Sequence, residues 1–159
     1  MRDMIMTYKR EVVILIADDD ADDRLMAKEA LEENRLVNTI RFVVDGEDLM
    51  DYLRCSGKYA ETGSAPCPGL ILLDLNMPKK DGREALKEIK ADPDLRHIPI
   101  VVLTTSKAEE DIFRTYDLGV NSFITKPVSF TALADVMKTI AKYWFEIVEL
   151  PPDTNRNCR

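Results

Sequence analysis

One histidine and three cysteines in 159 residues leave little room for several kinds of chemistry. His97 lies between Arg96 and Ile98 with no second histidine to share a metal or a catalytic proton, so it reads as a surface residue. Cys55, Cys67 and Cys158 are odd in number, far apart and without a CxxC pair. Neither a disulfide framework nor a zinc site is expected, and a reducing cytosol fits best. Long apolar runs are missing too. None approaches the roughly 18 residues of a membrane span, and the start, MRDMIMTYKREV, carries charges where a signal peptide needs an apolar stretch. No membrane association is expected. Positive charge is in deficit, 22 Lys and Arg against 29 Asp and Glu, for a formal net charge of -7. That balance opposes binding to nucleic acid. No internal repeat or second domain is visible.

What is present is an ordinary globular balance, 45% hydrophobic and 32% charged. The length suits one domain of about 100–150 residues with short extensions. Short apolar runs alternate with amphipathic stretches. Val12–Ala17, Ile40–Val44, Leu70–Leu73, Ile98–Leu103 and Ser122–Ile124 read as five strands. Helical spacing follows each: about 22–34, the stretch after Asp45-Gly46 carrying Leu49, Met50 and Leu53, then 83–91, 108–118, and a last helix from Ser129 to Trp144. Ser129 suits its N-cap, and Gly119 suits a C-cap for the fourth. Residues 57–68 read as a long surface loop. Strands this apolar are buried on both faces, so the expected fold is α/β, a doubly wound five-stranded parallel sheet.

In such a sheet, ligands bind beyond the carboxyl ends of the strands. Four strands end on polar residues: Asp18 and Asp19, Asp74, Thr104, and Lys126. An acid at one strand end is commonplace, but a coordinated set across four is not. Three carboxylates, a hydroxyl and an ammonium at one edge suit phosphoryl transfer. A carboxylate can form an aspartyl phosphate, a magnesium ion on hard oxygen ligands can offset the charge, and the ammonium and hydroxyl can contact phosphoryl oxygens.

The segments LIADDDADD, LILLDLNMPKKDG, VVLTTS and FITKP resemble those of bacterial two-component receiver domains over about residues 10–144. The resemblance implies a flavodoxin-like sheet of order 2-1-3-4-5. It implies Asp74 as phospho-acceptor, Asp19 as the metal-binding acid with Asp18 beside it, and the Asn76 backbone carbonyl as a further metal ligand. Thr104 would be the switch hydroxyl and Lys126 the phosphate-contacting lysine, with a cis bond to Pro127. Phe123 would be the aromatic that changes rotamer, although many relatives carry Tyr there. The implied cofactor is Mg2+, with Mn2+ or Ca2+ able to substitute. The implied partner is a sensor histidine kinase, and the implied compartment is the cytoplasm. The loop after helix two, the MPKKDG segment and the ending KYWFEIVELP resemble, more narrowly, the small regulators paired with cyanobacterial phytochromes. Those lack an output domain and tend to dimerise. Residues 145–159 then form a C-terminal extension with no separate output domain.

Other readings stand beside this one. Asp18, Asp20, Asp22 and Glu29 mimic calcium-loop spacing, but Asp23 occupies the place of the loop's glycine. A phosphatase forming an aspartyl phosphate, as in haloacid-dehalogenase-like enzymes, needs a second Asp two positions after the nucleophile, where Asn76 stands. An adaptor with a vestigial site would not require the intact acids, Thr104 and Lys126. Finally, Tyr143, Phe145, Ile147, Val148 and Leu150 exceed what one helix face can bury, which points to a homodimer through the C-terminal region.

Overall fold

The computed structural model describes residues 12–33, 37–105 and 108–144. Its strands are β1 (Val12–Ala17), β2 (Val37–Val43), β3 (Leu70–Leu73), β4 (Ile100–Thr104) and β5 (Ser122–Thr125). All pair in parallel in the order β2-β1-β3-β4-β5. The helices are α1 (Ala21–Glu32), α2 (Gly46–Arg54), α3 (Gly82–Ala91), α4 (Glu109–Leu118) and α5 (Phe130–Lys142). The expected doubly wound α/β architecture is therefore present.

The period of two along each central strand sorts side chains between two cores. Leu15, Ala17, Ile71, Leu73, Ile100 and Val102 face α2 and α3, meeting Leu49, Leu53, Leu86 and Ile89. Their neighbours Ile14, Ile16, Leu70, Leu72, Val101 and Leu103 face α1 and α5, meeting Leu31, Leu133, Met137 and Trp144. β3 and β4 are buried along their whole length, as strands covered on both faces must be.

Four helices begin on a side-chain cap. Asp20, Asp45, Asp81 and Ser129 each accept a backbone N–H from the first turn, contributing about 1 kcal/mol apiece. The fourth helix lacks such a cap, and Thr115 is its one buried residue. Phe113 and Tyr116 on it are 74% and 49% exposed, so α4 is the most lightly anchored of the five. Gly119 takes the left-handed conformation at its C-terminus, as expected.

Several boundaries differ from the sequence reading. The fourth strand starts at Ile100, two residues late, because Pro99 has no N–H for the ladder. The second starts at Val37, where pairing with β1 extends the run. Val44 lies past its end and donates its N–H to Asp48 Oδ2 at 3.0 Å. The segment after α2 is more ordered than a plain surface loop. It contains a 3-10 turn at Gly57–Tyr59, the Tyr59 hydroxyl donates to Asp48 Oδ1 at 2.8 Å, and the Tyr52 hydroxyl donates to the Pro66 carbonyl at 2.7 Å. The Lys126–Pro127 bond is trans, not cis; the two isomers of such a bond differ by only about 0.5–1 kcal/mol. The expectation of no disulfide fails at Cys67, which is disulfide-bonded. Cys55 is free.

Candidate functional site

The parallel sheet brings its carboxyl ends to one edge, and the last ladder bonds fix the backbones there. Asp18 N donates to the Val43 carbonyl at 3.0 Å, Asp74 N to Ala17 at 3.0 Å, and Lys126 N to Thr104 at 2.7 Å. Each candidate residue is therefore held by the end of a neighbouring strand. Asp18, Asp74, Thr104 and Lys126 are all buried, which makes their pairing decisive, since an unpaired buried charge is costly.

That pairing is complete. Asp74 Oδ1 accepts from the Thr104 hydroxyl at 2.8 Å and from the Asn76 N–H at 3.0 Å. Asp74 Oδ2 accepts from Lys126 Nζ at 3.0 Å. The same ammonium donates to Asp18 Oδ2 at 2.6 Å and to Asp23 Oδ2 at 2.9 Å. Burial by itself would lower the Lys126 pKa, but hydrogen bonds to Asp18 and Asp23 hold it above its ordinary value, so the group stays an ammonium. Asp18 Oδ1 accepts the Asp20 N–H at 2.9 Å, and Arg24 Nη1 donates to the Asp18 carbonyl at 2.8 Å.

Carboxylate oxygens of Asp18, Asp19 and Asp74 lie within 4.8 Å of one another, with Asp19 exposed. The donor set fits a hard divalent cation. It offers oxygen ligands only, its negative charge exceeds the one ammonium beside it, and its open side can take water. Asn76 sits at the rim, where its side-chain amide reaches Thr104 Oγ1 and Thr105 Oγ1, each at 3.4 Å. Phe123 stands apart from this cluster. It is half-buried, packs against the core beneath α2 and α3, and donates its backbone N–H to the Tyr116 hydroxyl at 3.1 Å.

Two features escaped the sequence reading. Asp23 figured there only as a residue spoiling a calcium loop, yet it touches Lys126. Its place in the first turn of α1, five residues after Asp18, is the signal that could have found it. Arg83 forms a two-pronged pair with Asp111, Nε to Oδ1 at 2.7 Å and Nη2 to Oδ2 at 2.6 Å, joining the starts of α3 and α4. Nothing local in the sequence marks that contact.

Residues 14–138 match the response regulator receiver domain family. The chain belongs to that family. It is 43% identical over 141 residues to response regulator Rcp1 of Synechocystis sp., covering 89% of this chain and 93% of Rcp1. The crystal structure of the Mn2+-bound form of Rcp1 superposes with a TM-score of 0.84 at 42% identity, covering 89% of this chain and 99% of that one. The phosphorylated cyanobacterial phytochrome response regulator RcpA also gives 0.84, at 44% identity, covering 90% of this receiver and all of RcpA. A probable methanogenesis regulatory protein, FilR2 of Methanothrix harundinacea, is 39% identical over 132 residues, 83% of each chain. The solved members of that family thus include a metal-bound and a phosphorylated form.

Proposed function

We propose that this receiver takes a phosphoryl group from the phosphohistidine of a sensor kinase onto Asp74, and that phosphorylation switches its surface. The observation that carries the reading is the unequal treatment of the Asp74 oxygens. Oδ1 accepts two hydrogen bonds, while Oδ2 meets the Lys126 ammonium. Oδ2 keeps the more available lone pairs and is the nucleophile. Its electron pair forms the new O–P bond, the N–P bond of the donor breaks, and that pair leaves with the imidazole nitrogen. Lys126 and Thr104 then bond phosphoryl oxygens. Asp18, Asp19, Asp74 and the Asn76 carbonyl would hold Mg2+, or Mn2+ or Ca2+ in its place, which when bound offsets the charge gathered at the site. The protein acts as a switch catalysing its own phosphotransfer and dephosphorylation, not as an enzyme on a separate substrate.

Phosphorylation would bias a surface made of α4, β5 and α5. The light anchoring of α4 supports this, with Thr104 and Phe123 as the switching pair. The likeness to Rcp1 and RcpA favours a phytochrome as the kinase. Residues 10–144 make up the receiver in this reading, and residues 145–159 lie outside the described residues. A cytoplasmic location follows from the proposed kinase partner and not from the cysteines, given the Cys67 disulfide. Among the described residues no helix is long and apolar enough to cross a membrane, and the net charge of -7 disfavours nucleic acid. The proposed homodimer draws on Tyr143, 51% exposed at the end of α5. Phe145, Ile147, Val148 and Leu150 lie outside the described residues. Sedimentation at several concentrations tests the dimer, and a concentration-independent monomer refutes it.

Phosphotransfer from candidate histidine kinases tests the main reading. Wild-type protein is expected to take up label in a magnesium-dependent manner, and Asp74→Asn is not. Equal labelling of both removes Asp74 as the acceptor.

A further inference from the structure

Lys126 has three ammonium hydrogens and three carboxylate partners. Asp18 and Asp74 belong to the acidic cluster that suits a metal, but Asp23 does not. Asp23 reaches the ammonium from the first turn of α1, where its own backbone N–H is tied to Asp20 Oδ1 at 3.1 Å. The helix cap thus fixes the backbone that carries this side chain. Around the ammonium lies a small cavity whose lining includes Met26, Ala27, Leu133 and Met137 beside Asp18 and Asp23. Those four apolar side chains offer the third N–H no substitute for Asp23.

We propose that Asp23 is a positioning residue: with Asp18 it tethers two of the three N–H groups of Lys126, so that the remaining one is aimed at Asp74 Oδ2, where the phosphoryl group arrives. The inference rests on Asp74 being the phospho-acceptor. A lysine stem is flexible and its ammonium carries no preferred direction; two fixed acceptors supply one. Asp23 touches neither Asp74 nor the incoming group in this arrangement, so it acts only through Lys126.

Charge and tether predict opposite outcomes. As a bystander, the Asp23 carboxylate would repel an anionic group at Asp74, and removing it would tighten binding. As a tether, its removal loosens binding, because the ammonium loses its aim. Beryllofluoride, which stands in for the phosphoryl group on Asp74, separates the two. Its affinity in the presence of magnesium is measured on the full chain for wild type, Asp23→Ala, Asp23→Asn, Lys126→Ala and Asp23→Ala with Lys126→Ala. The 19F spectrum of the bound anion is recorded alongside.

Loss of a hydrogen bond to a charged group corresponds to a drop of about tenfold for Asp23→Ala. Asp23→Asn is expected to stay within about threefold of wild type, since its amide oxygen still accepts from the ammonium. The 19F line nearest Lys126 should shift in Asp23→Ala and return in Asp23→Asn, which a merely structural role would not produce. In the Lys126→Ala background, Asp23→Ala should have no further effect. Binding by Asp23→Ala as tight as wild type or tighter overturns the proposal, as does an equal loss with Lys126 absent. Wild-type protein that binds no beryllofluoride with magnesium instead removes the phospho-acceptor reading beneath it.

Discussion

Replacing Gly82 by Ala should destabilise this receiver even though Ala is the better helix former. Gly82 opens α3, and its N–H donates to the Leu75 carbonyl at 3.0 Å. A Cβ there would lie 2.4 Å from the Asp74 carbonyl oxygen and 2.7 Å from the Leu75 Cα. Reaching ordinary contact at 3.4 Å means a displacement of 3.4 − 2.4 = 1.0 Å. The obstructing atoms are backbone, and Asp74 is anchored to Ala17 by its N–H and to Thr104 and Lys126 by its carboxylate. The strain cannot be relieved by turning a side chain. Forced overpacking costs about 1–3 kcal/mol, against a helix-propensity gain of at most about 1 kcal/mol, smaller still at a first helical position. The net expectation is a loss of about 1–2 kcal/mol. With a urea slope of about 2 kcal/mol/M, the middle of the range for a small domain, the unfolding midpoint should fall by roughly 0.5–1 M at unchanged slope. Because the displaced atom is the carbonyl of Asp74 itself, beryllofluoride affinity should fall as well. A midpoint at or above that of wild type would show that the 74–82 segment yields freely and would refute the reasoning.

Asp19→Asn removes one of three clustered carboxylates. Since outer-shell changes alone typically cost about 10–100-fold in metal affinity, magnesium titration should show at least a tenfold loss, and unchanged affinity would count against the site. Thr105 contacts Asn76 at the rim, where its side chain would stand in the approach of a hydrolytic water, so Thr105→Ala should release phosphate faster from the phosphorylated form; a mutant no faster than wild type removes the steric argument. Burial pushes the Tyr52 hydroxyl up from 10.0 to about 12. Its folded pKa is thus above the unfolded one, so the neutral phenol contributes stability below the unfolded value that is lost as pH rises through the folded value. Urea midpoints across that window should fall less in Tyr52→Phe than in wild type, and an identical fall would show that Tyr52 is not the group responsible.

The alternation of strands and helices was legible because burial on both faces of a parallel strand writes itself as a continuous apolar run, and a helix with one covered face repeats its apolar residues at helical spacing. Asp18, Asp19, Asp74, Thr104 and Lys126 were legible for the same reason. Each follows or closes such a run, and parallel strands bring those ends to one edge. The contacts between distant segments were not legible. Asp45-Gly46 and Asp81-Gly82 are each a helix cap followed by a glycine. A Cβ at Gly46 would stand 2.1 Å from the Lys80 carbonyl oxygen, so both helix starts press against the segment that follows Asp74. The pairing of Arg83 with Asp111, the approach of Asp23 to Lys126 and the disulfide at Cys67 belong to the same class. Local sequence sets the period, phase and ends of each element, which need only near neighbours. Which side chains then meet across elements depends on how the helices seat against the twisted sheet, and that is decided by packing of the whole domain.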